Sequence, residues 1–510
     1  MTQKSPKSQG IARNALANWT AFLYVAIVSF YLSPFIVRHL GATAYGVWSL
    51  LVALVGYLGL LDFGVRGAVT QFVARHHAVG DTKSSSAIGS AAIVLFGCAG
   101  LVAIAIAVIV AMYAHVLFNI PPELIDISKR VLVISGFTVA STLMGAVFGG
   151  IVTGLQRFDV SAGIEILITT VRTIGVIVAL EDGHGLPALA YVHLATSLAY
   201  GVLAWLAVRH LYPGFRINFR QPMIAPIRTI LSFSAFLSVI HVLGMLIYYT
   251  DAVVIAVVLP ISAVAVFAIA GNLCDYAGKV AGALSKMITP RVSALKSLGS
   301  SEVGAAVLST ARLATLAITP IAMVFVTRGD SFISLWMGPE FGPSSGAVLR
   351  VLAFIVWLGG ARAVATSAII GANRHRQIIP ALGAEAAANL GLSIVLAHTI
   401  GVVGVAVGSL VPSVIVGLVF IPAYLRRATG VTRMSYYQNA LLRPTLACLP
   451  FLLATVAFEY FLPARNLGMF FLQIVLSLPL VPLSALFVCA SPVERKSVLA
   501  IARRFATGAG

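Results

Sequence analysis

Long apolar runs, each closed by a short polar break, repeat from one end of this chain to the other. They fall near residues 17–37, 44–65, 87–115, 131–153, 160–180, 187–208, 229–258, 261–287, 304–327, 346–370, 378–399, 401–424, 441–462 and 467–490. A run of about 18 such residues crosses a hydrocarbon core roughly 30 Å thick as a helix. The pattern therefore predicts an all-α polytopic membrane protein with about fourteen transmembrane helices. The alternating ten-residue segments of a membrane β-barrel do not occur. The seventh run is too long for an upright helix, which predicts tilt or a bend. Pro34, Pro320 and Pro412 lie inside runs and Pro260 between two; neighbouring helices satisfy the backbone groups that proline frees.

Composition agrees. Of 510 residues, 59% are hydrophobic and only 10% charged, with a mean hydropathy of +0.99, whereas soluble domains carry about 25% charged residues. The net charge of +18 would suggest nucleic acid in a soluble protein. Here the cations sit between spans and report orientation, so no nucleic-acid partner is expected. Alternate loops hold the great majority of Lys and Arg: Arg66, Arg75 and Lys83, then Arg157, Arg209, Arg216, Arg220 and Arg228, later Arg374, Arg376, Arg426 and Arg427. The intervening loops hold only Arg38, Lys129, Arg130, Arg328 and Arg465. The bias predicts both termini in the cytoplasm, and with it an even number of spans in the inner membrane. The N-terminus leads into a full-length span with no cleavage-site pattern, so no cleaved signal peptide is expected. Cys98, Cys274, Cys448 and Cys489 lack metal-ligand spacing and read as packing residues.

Two short stretches punctuate the pattern alike. GLQRFD (154–159) ends the fourth span and GANRHR (371–376) ends the tenth. Six spans separate them, an even number, which predicts two six-helix lobes in a parallel pseudo-repeat. The expected organisation is a cytoplasmic segment (1–16), an N-lobe (17–208), a cytoplasmic linker (209–228), a C-lobe (229–424), a cytoplasmic loop (425–440), two extra C-terminal helices (441–490) and a basic cytoplasmic tail (491–510). Two such lobes enclose a central cavity with a substrate site near mid-membrane.

The run YLSPFIVRHLGATAYGVWSLLVALVGYLGLLDFGVRGAVTQFVARH (31–76), GLQRFD, YYTDAVVIAVVL (248–259) and SLWMGPEFGPSS (334–345) resemble the polysaccharide transport proteins of the Wzx flippase type. The resemblance runs the length of the chain in order and spacing. That family is similar to multidrug exporters of the MATE type and to lipid II flippases, which together form one superfamily. The resemblance implies two six-helix lobes with two further helices. It also implies transport of undecaprenyl-pyrophosphate-linked oligosaccharides from the cytoplasmic to the outer leaflet, for cell-surface polysaccharide biosynthesis. Implied partners are the lipid-linked oligosaccharide, membrane lipid, and a polysaccharide polymerase with its chain-length machinery. No cofactor is implied, and no P-loop of the GxxxxGK[ST] type is present.

Ionisable groups at membrane depth are costly and mark candidate sites. Arg172, near the middle of the fifth span, follows Glu165 by seven residues on one helical face. Arg362 is central in the tenth span. In the eighth, Asp275, Lys279 and Lys286 share a face; a pair between Asp275 and Lys279 leaves Lys286 the freer cation. Arginine binds phosphate oxygens bidentately and never loses its charge, so Arg172, Lys279, Arg362 and Lys286 are the candidate cations of a pyrophosphate site. The competing reading pairs Arg172 with Glu165 and Arg362 with a neighbour such as Glu385. Asp251, at the Thr250–Asp251 pair, is a candidate for ion coupling or for a structural network, and Asp275, Glu165 and Glu385 share that description. Asp62 and Arg66 are expected to form a surface ion pair. Arg312, Arg350 and Glu459 stand close enough to span ends to reach an interface. The last two spans carry almost nothing polar, which suggests an apolar frame for a long lipid tail. A drug or metabolite exporter is the alternative; it would favour an acidic, aromatic cavity. A membrane-embedded polymerase or glycosyltransferase is less consistent, because no external loop is long and its acidic residues are scattered. The expectation is a transporter and not an enzyme.

Overall fold

The computed structural model of the chain describes residues 6–220, 222–286, 288–295 and 300–489. Residues 1–5 and the basic tail 491–510, both expected in the cytoplasm, lie outside the described residues, as does Lys296. The described residues form helices without strands. Two compact units divide the chain, Met1–Ala265 and Val266–Gly510.

The first unit contains α1 (Pro6–Leu58), α2 (Val65–Ala78), α3 (Thr82–Leu117), α4 (Pro122–Gly154), α5 (Phe158–Glu181), α6 (Gly185–Leu211) and α7 (Ile224–Val258). The division falls just inside α8 (Ser262–Ser285), so α7 belongs with the first unit. The second unit continues with α9 (Ile288–Leu295), α10 (Ser300–Trp336), α11 (Gly342–Gly371), α12 (Ile379–Ile415) and α13 (Ile421–Thr429). It closes with α14 (Arg433–Tyr436), α15 (Arg443–Ala447), α16 (Leu449–Phe461), α17 (Leu467–Ser477) and α18 (Leu480–Val488).

Twelve stretches among the described residues are long and apolar enough to cross a membrane. Two of them, Trp19–Asp62 and His375–Thr429, are 44 and 55 residues long. Each is interrupted once by glycine in the left-handed region, Gly41 at φ 72° and Gly401 at φ 64°. An L-residue with a side chain is disfavoured there. Each interruption separates two runs of the hydrophobic pattern, so counting both stretches as pairs gives the fourteen spans. The protein is a multi-pass membrane protein.

Two connections are helical. The stretch after the second span forms α2, which buries Val65, Ala68, Val69 and Val73 against the core. Most of 425–440 is helical, with only Gly430 to Thr432 between α13 and α14.

The doubled stop signal has a backbone explanation. In GLQR, Gln156 adopts φ 58°; in GANR, Asn373 adopts φ 57°. Arg157 donates its N–H to the Val152 carbonyl (3.2 Å) and Gln156 to that of Thr153 (2.9 Å). Arg374 and Asn373 repeat this with Ile369 (3.0 Å) and Ile370 (2.8 Å). Both are Schellman closures, which satisfy the last carbonyls of a helix. The glycine opening each motif marks a close crossing. A Cβ on Gly154 would stand 2.8 Å from the Thr70 carbonyl oxygen, and one on Gly371 would stand 2.7 Å from that of Thr289. Thr70 donates its hydroxyl to the Gly150 carbonyl (3.2 Å), and Thr289 to the Ser367 carbonyl (3.3 Å). The short helices α2 and α9 thus brace α4 and α11 in the same way, one in each unit.

The segment after α6 is stitched to α3. Arg216 donates its backbone N–H to Ser86 Oγ and Asn218 donates to Ser90 Oγ, both at 3.0 Å. Tyr212 donates its hydroxyl to Ser85 Oγ (3.3 Å). Two residues of extended chain cover about 6.6 Å and four residues of helix about 6 Å, so alternate amides of this extended segment match serines one turn apart. Phe215 fills the space over Gly89, where a Cβ would meet its ring at 2.5 Å.

Candidate functional site

In the first unit, α5 and α6 bring the polar side chains of adjacent spans together. Arg172 donates from Nε to Thr196 Oγ1 (3.2 Å), and Thr196 is buried. Thr170, on α5, shares a hydrogen bond with the Tyr24 hydroxyl of α1 (2.6 Å). His193, one turn before Thr196, meets the edge of Trp48, with ring centroids 5.1 Å apart. Arg172 is half-buried, nine residues from the end of α5, or about 13 Å along the axis. Glu165 is exposed and makes no ion pair with it. Among the described residues the hydrogen-bond partner of Arg172 is a neutral hydroxyl, and the Glu165 carboxylate acts on it only through space.

Asp251 is buried on α7. Its neighbour Thr250 shares a hydrogen bond with the Tyr57 hydroxyl (2.6 Å) and donates to the Leu246 carbonyl. This joins α7 to the end of α1. Asp62 and Arg66 do not form the expected ion pair. Asp62 Oδ1 accepts the backbone N–H of Arg66 (3.2 Å) across the turn that opens α2, while the guanidinium reaches the Tyr200 hydroxyl (3.4 Å).

In the second unit Arg362 is locked. Its Nη1 and Nη2 donate to the two oxygens of Glu385 at 2.8 and 2.5 Å, and Nη1 also to Ser413 Oγ at 2.9 Å. Glu385 is 2% exposed. This is the competing reading of Arg362, a bidentate pair on facing helices. The polar row continues along α12, where buried Asn389 donates to Ser409 Oγ (2.8 Å). Lys279 pairs with Asp275 at 2.8 Å, half exposed, while Lys286 stands exposed one residue beyond α8. The four candidate cations therefore do not form one cluster within either unit. Arg172 lies in the first, and Lys279, Lys286 and Arg362 lie in the second.

Sequence reasoning missed the most buried charge. Arg328, assigned by charge counting to an external loop, lies inside α10 with its side chain fully buried. Nε donates to Glu459 Oε2 of α16 at 2.6 Å and Nη2 to Gln473 Oε1 of α17 at 2.7 Å. The guanidinium stacks on Phe470, 4.5 Å from the ring centre, and Ser331 donates to Glu459 Oε1. Glu459 therefore spends its carboxylate on Arg328 and Ser331, and the last two spans are not purely apolar. The signal was available: Glu459 and Gln473 are isolated polar residues within apolar runs. Arg350 pairs with Asp330 at 3.0 Å, and Arg312 donates to the Cys489 carbonyl at 2.7 Å.

Polar side chains at membrane depth, a fourteen-span helical plan and glycine-punctuated repeats describe a polytopic membrane scaffold. A sequence profile described as "polysaccharide biosynthesis protein" matches residues 11–296, more than half of the chain. The chain belongs to this family. Among relatives of the family, it is similar to the uncharacterized membrane protein EpsK of Bacillus subtilis, 23% identical over 443 residues that cover 84% of this chain and 85% of the relative. It is also similar to a putative O-antigen transporter of Shigella flexneri, 19% identical over 361 residues, covering 67% and 80%. The fold of the chain matches that of the lipid II flippase MurJ in its inward closed conformation. The TM-score is 0.72 at 12% identity, over 93% of this chain and 98% of that one. An inward-facing multidrug resistance MATE transporter of the MOP superfamily matches with a TM-score of 0.67 at 14% identity, covering 81% and 98%. The protein is a multi-pass membrane protein of the polysaccharide biosynthesis family, and it shares the fold of these transporters.

Proposed function

We propose that the chain moves undecaprenyl-pyrophosphate-linked oligosaccharide units from the cytoplasmic to the outer leaflet of the inner membrane, with both termini in the cytoplasm. Arg172 carries this reading. A guanidinium at mid-helix, hydrogen-bonded only to a neutral hydroxyl and reached by Glu165 only through space, is expensive at membrane depth unless it meets water or an anion. A pyrophosphate supplies paired oxygens that match its fork. Lys279 and Lys286 are the secondary cations of the path, and Arg362 joins them when its pair with Glu385 opens. Rocking of two six-helix lobes, 17–208 against 229–424 with the linker at 209–228, provides alternating access. The saccharide unit then passes to a polymerase and its chain-length machinery.

The experiment is transport of a fluorescent polyprenyl-pyrophosphate-linked oligosaccharide by the full chain in proteoliposomes. Arg172→Gln lowers the rate at least about tenfold, the scale of losing one charge-assisted phosphate contact. Arg172→Lys retains part of it, because the charge remains without the fork. Wild-type transport by Arg172→Gln overturns the assignment.

A further inference from the structure

Within the first unit, α4 and α6 cross where Gly145 faces Gly201; a Cβ on Gly145 would lie 3.2 Å from the Gly201 Cα. The Tyr200 ring packs over the crossing, 3.0 Å from the same Cβ position, and an open groove lies beside the contact. Its volume is about 540 Å³, and Phe137, Met144, Phe148, Leu194, Leu198 and Trp205 line it. From Phe137 to Phe148 the wall runs roughly 16 Å, the depth of one leaflet of a core about 30 Å thick.

One end of the groove is cationic. Arg209 follows Trp205 by one turn on the same side of α6, and its guanidinium lies 5.6 Å from the Trp205 ring centre. Arg209 is exposed, and it has no ion pair among the described residues. Between Asp182 and Asp251 the chain contains no acidic residue, while Arg209, Arg216, Arg220 and Arg228 fall in this stretch. Nothing acidic nearby in sequence competes for the arginine. An apolar trench one leaflet deep, closed by an arginine at its loop end, complements a lipid with a hydrocarbon tail and a phosphate head.

We infer that this groove binds an anionic phospholipid of the cytoplasmic leaflet, one acyl chain between α4 and α6 and its phosphate on Arg209. The length of the wall decides between lipid sources: one leaflet's depth matches one acyl chain, whereas a polyprenyl carrier is several times longer. The site is thus separate from the path proposed for the transported lipid.

The test is native mass spectrometry of the full-length protein released from nanodiscs that contain phosphatidylglycerol and phosphatidylcholine in equal amounts. The wild type retains phosphatidylglycerol at least about fivefold over phosphatidylcholine, as expected for a basic interfacial pocket. Arg209→Gln removes the preference, and Arg220→Gln, outside the groove, leaves it intact. Ser141→Phe, or Leu198→Trp at an exposed wall position if the first fails to fold, fills the trench and lowers retention of both lipids. Equal retention by the wild type, or an unchanged preference in Arg209→Gln, overturns the site. Displacement of phosphatidylglycerol by an equal amount of polyprenyl phosphate overturns the phospholipid assignment and makes the carrier the occupant.

Discussion

The charged side chains at membrane depth fall into two kinds. Arg362 and Arg328 are each held by a carboxylate, Glu385 and Glu459, with further hydrogen bonds to Ser413 and Gln473. Arg172 has a neutral partner. Removing one member of a buried pair leaves an uncompensated charge, which costs about 3–5 kcal/mol. Glu459→Leu therefore lowers the thermal unfolding midpoint of the detergent-solubilised protein. The double variant Arg328→Met/Glu459→Leu recovers most of the loss, since well-packed apolar replacements of a buried pair are close to neutral. The two pairs were unequally legible. Arg362 and Glu385 lie 23 residues apart on consecutive apolar runs, so their facing positions followed from the span pattern. Arg328 and Glu459 lie 131 residues apart, and no local spacing connects them. Charge counting placed Arg328 in a loop because α10 extends to Trp336, beyond where its hydrophobic pattern weakens.

At the scale of elements, the matched Schellman closures give a paired experiment. Gln156 and Asn373 occupy the same left-handed position, but asparagine visits that region more readily than glutamine. Gln156→Gly stabilises the protein by up to about 1 kcal/mol and Asn373→Gly by less, measured as shifts in the unfolding midpoint. The start of α3 offers a pH test. Asp81 caps it, accepting the Ser84 N–H at 2.9 Å. Hydrogen bonds from the Ser84 side chain and backbone hold the carboxyl below its usual range. With a lowered folded-state value, the contribution is complete above the unfolded carboxylate range and disappears as pH falls through the lowered value. Hydrogen exchange of the Ser84 amide is expected to stay slow at mildly acidic pH and to accelerate only below about pH 4. The breaks at Gly41 and Gly401 were legible because each is a glycine between two complete runs. The brace α2 was not, because its apolar face of Val65, Ala68, Val69 and Val73 is too short to stand out from a polar connection.

On the scale of the whole molecule, fold class and span count could be read from the hydrophobic pattern, because each crossing needs its own apolar run and nothing else in the chain resembles one. The grouping of polar side chains could not, since it depends on which helices become neighbours. The pair binding the C-terminal helices has a temporal consequence. A ribosome adds about 5–20 residues per second, and Glu459 follows Arg328 by 131 residues. Arg328 thus enters the bilayer on the order of ten seconds before its counter-charge has been synthesised. A nascent chain that stalls in that interval carries a bare cation at membrane depth, and only complete translation silences it.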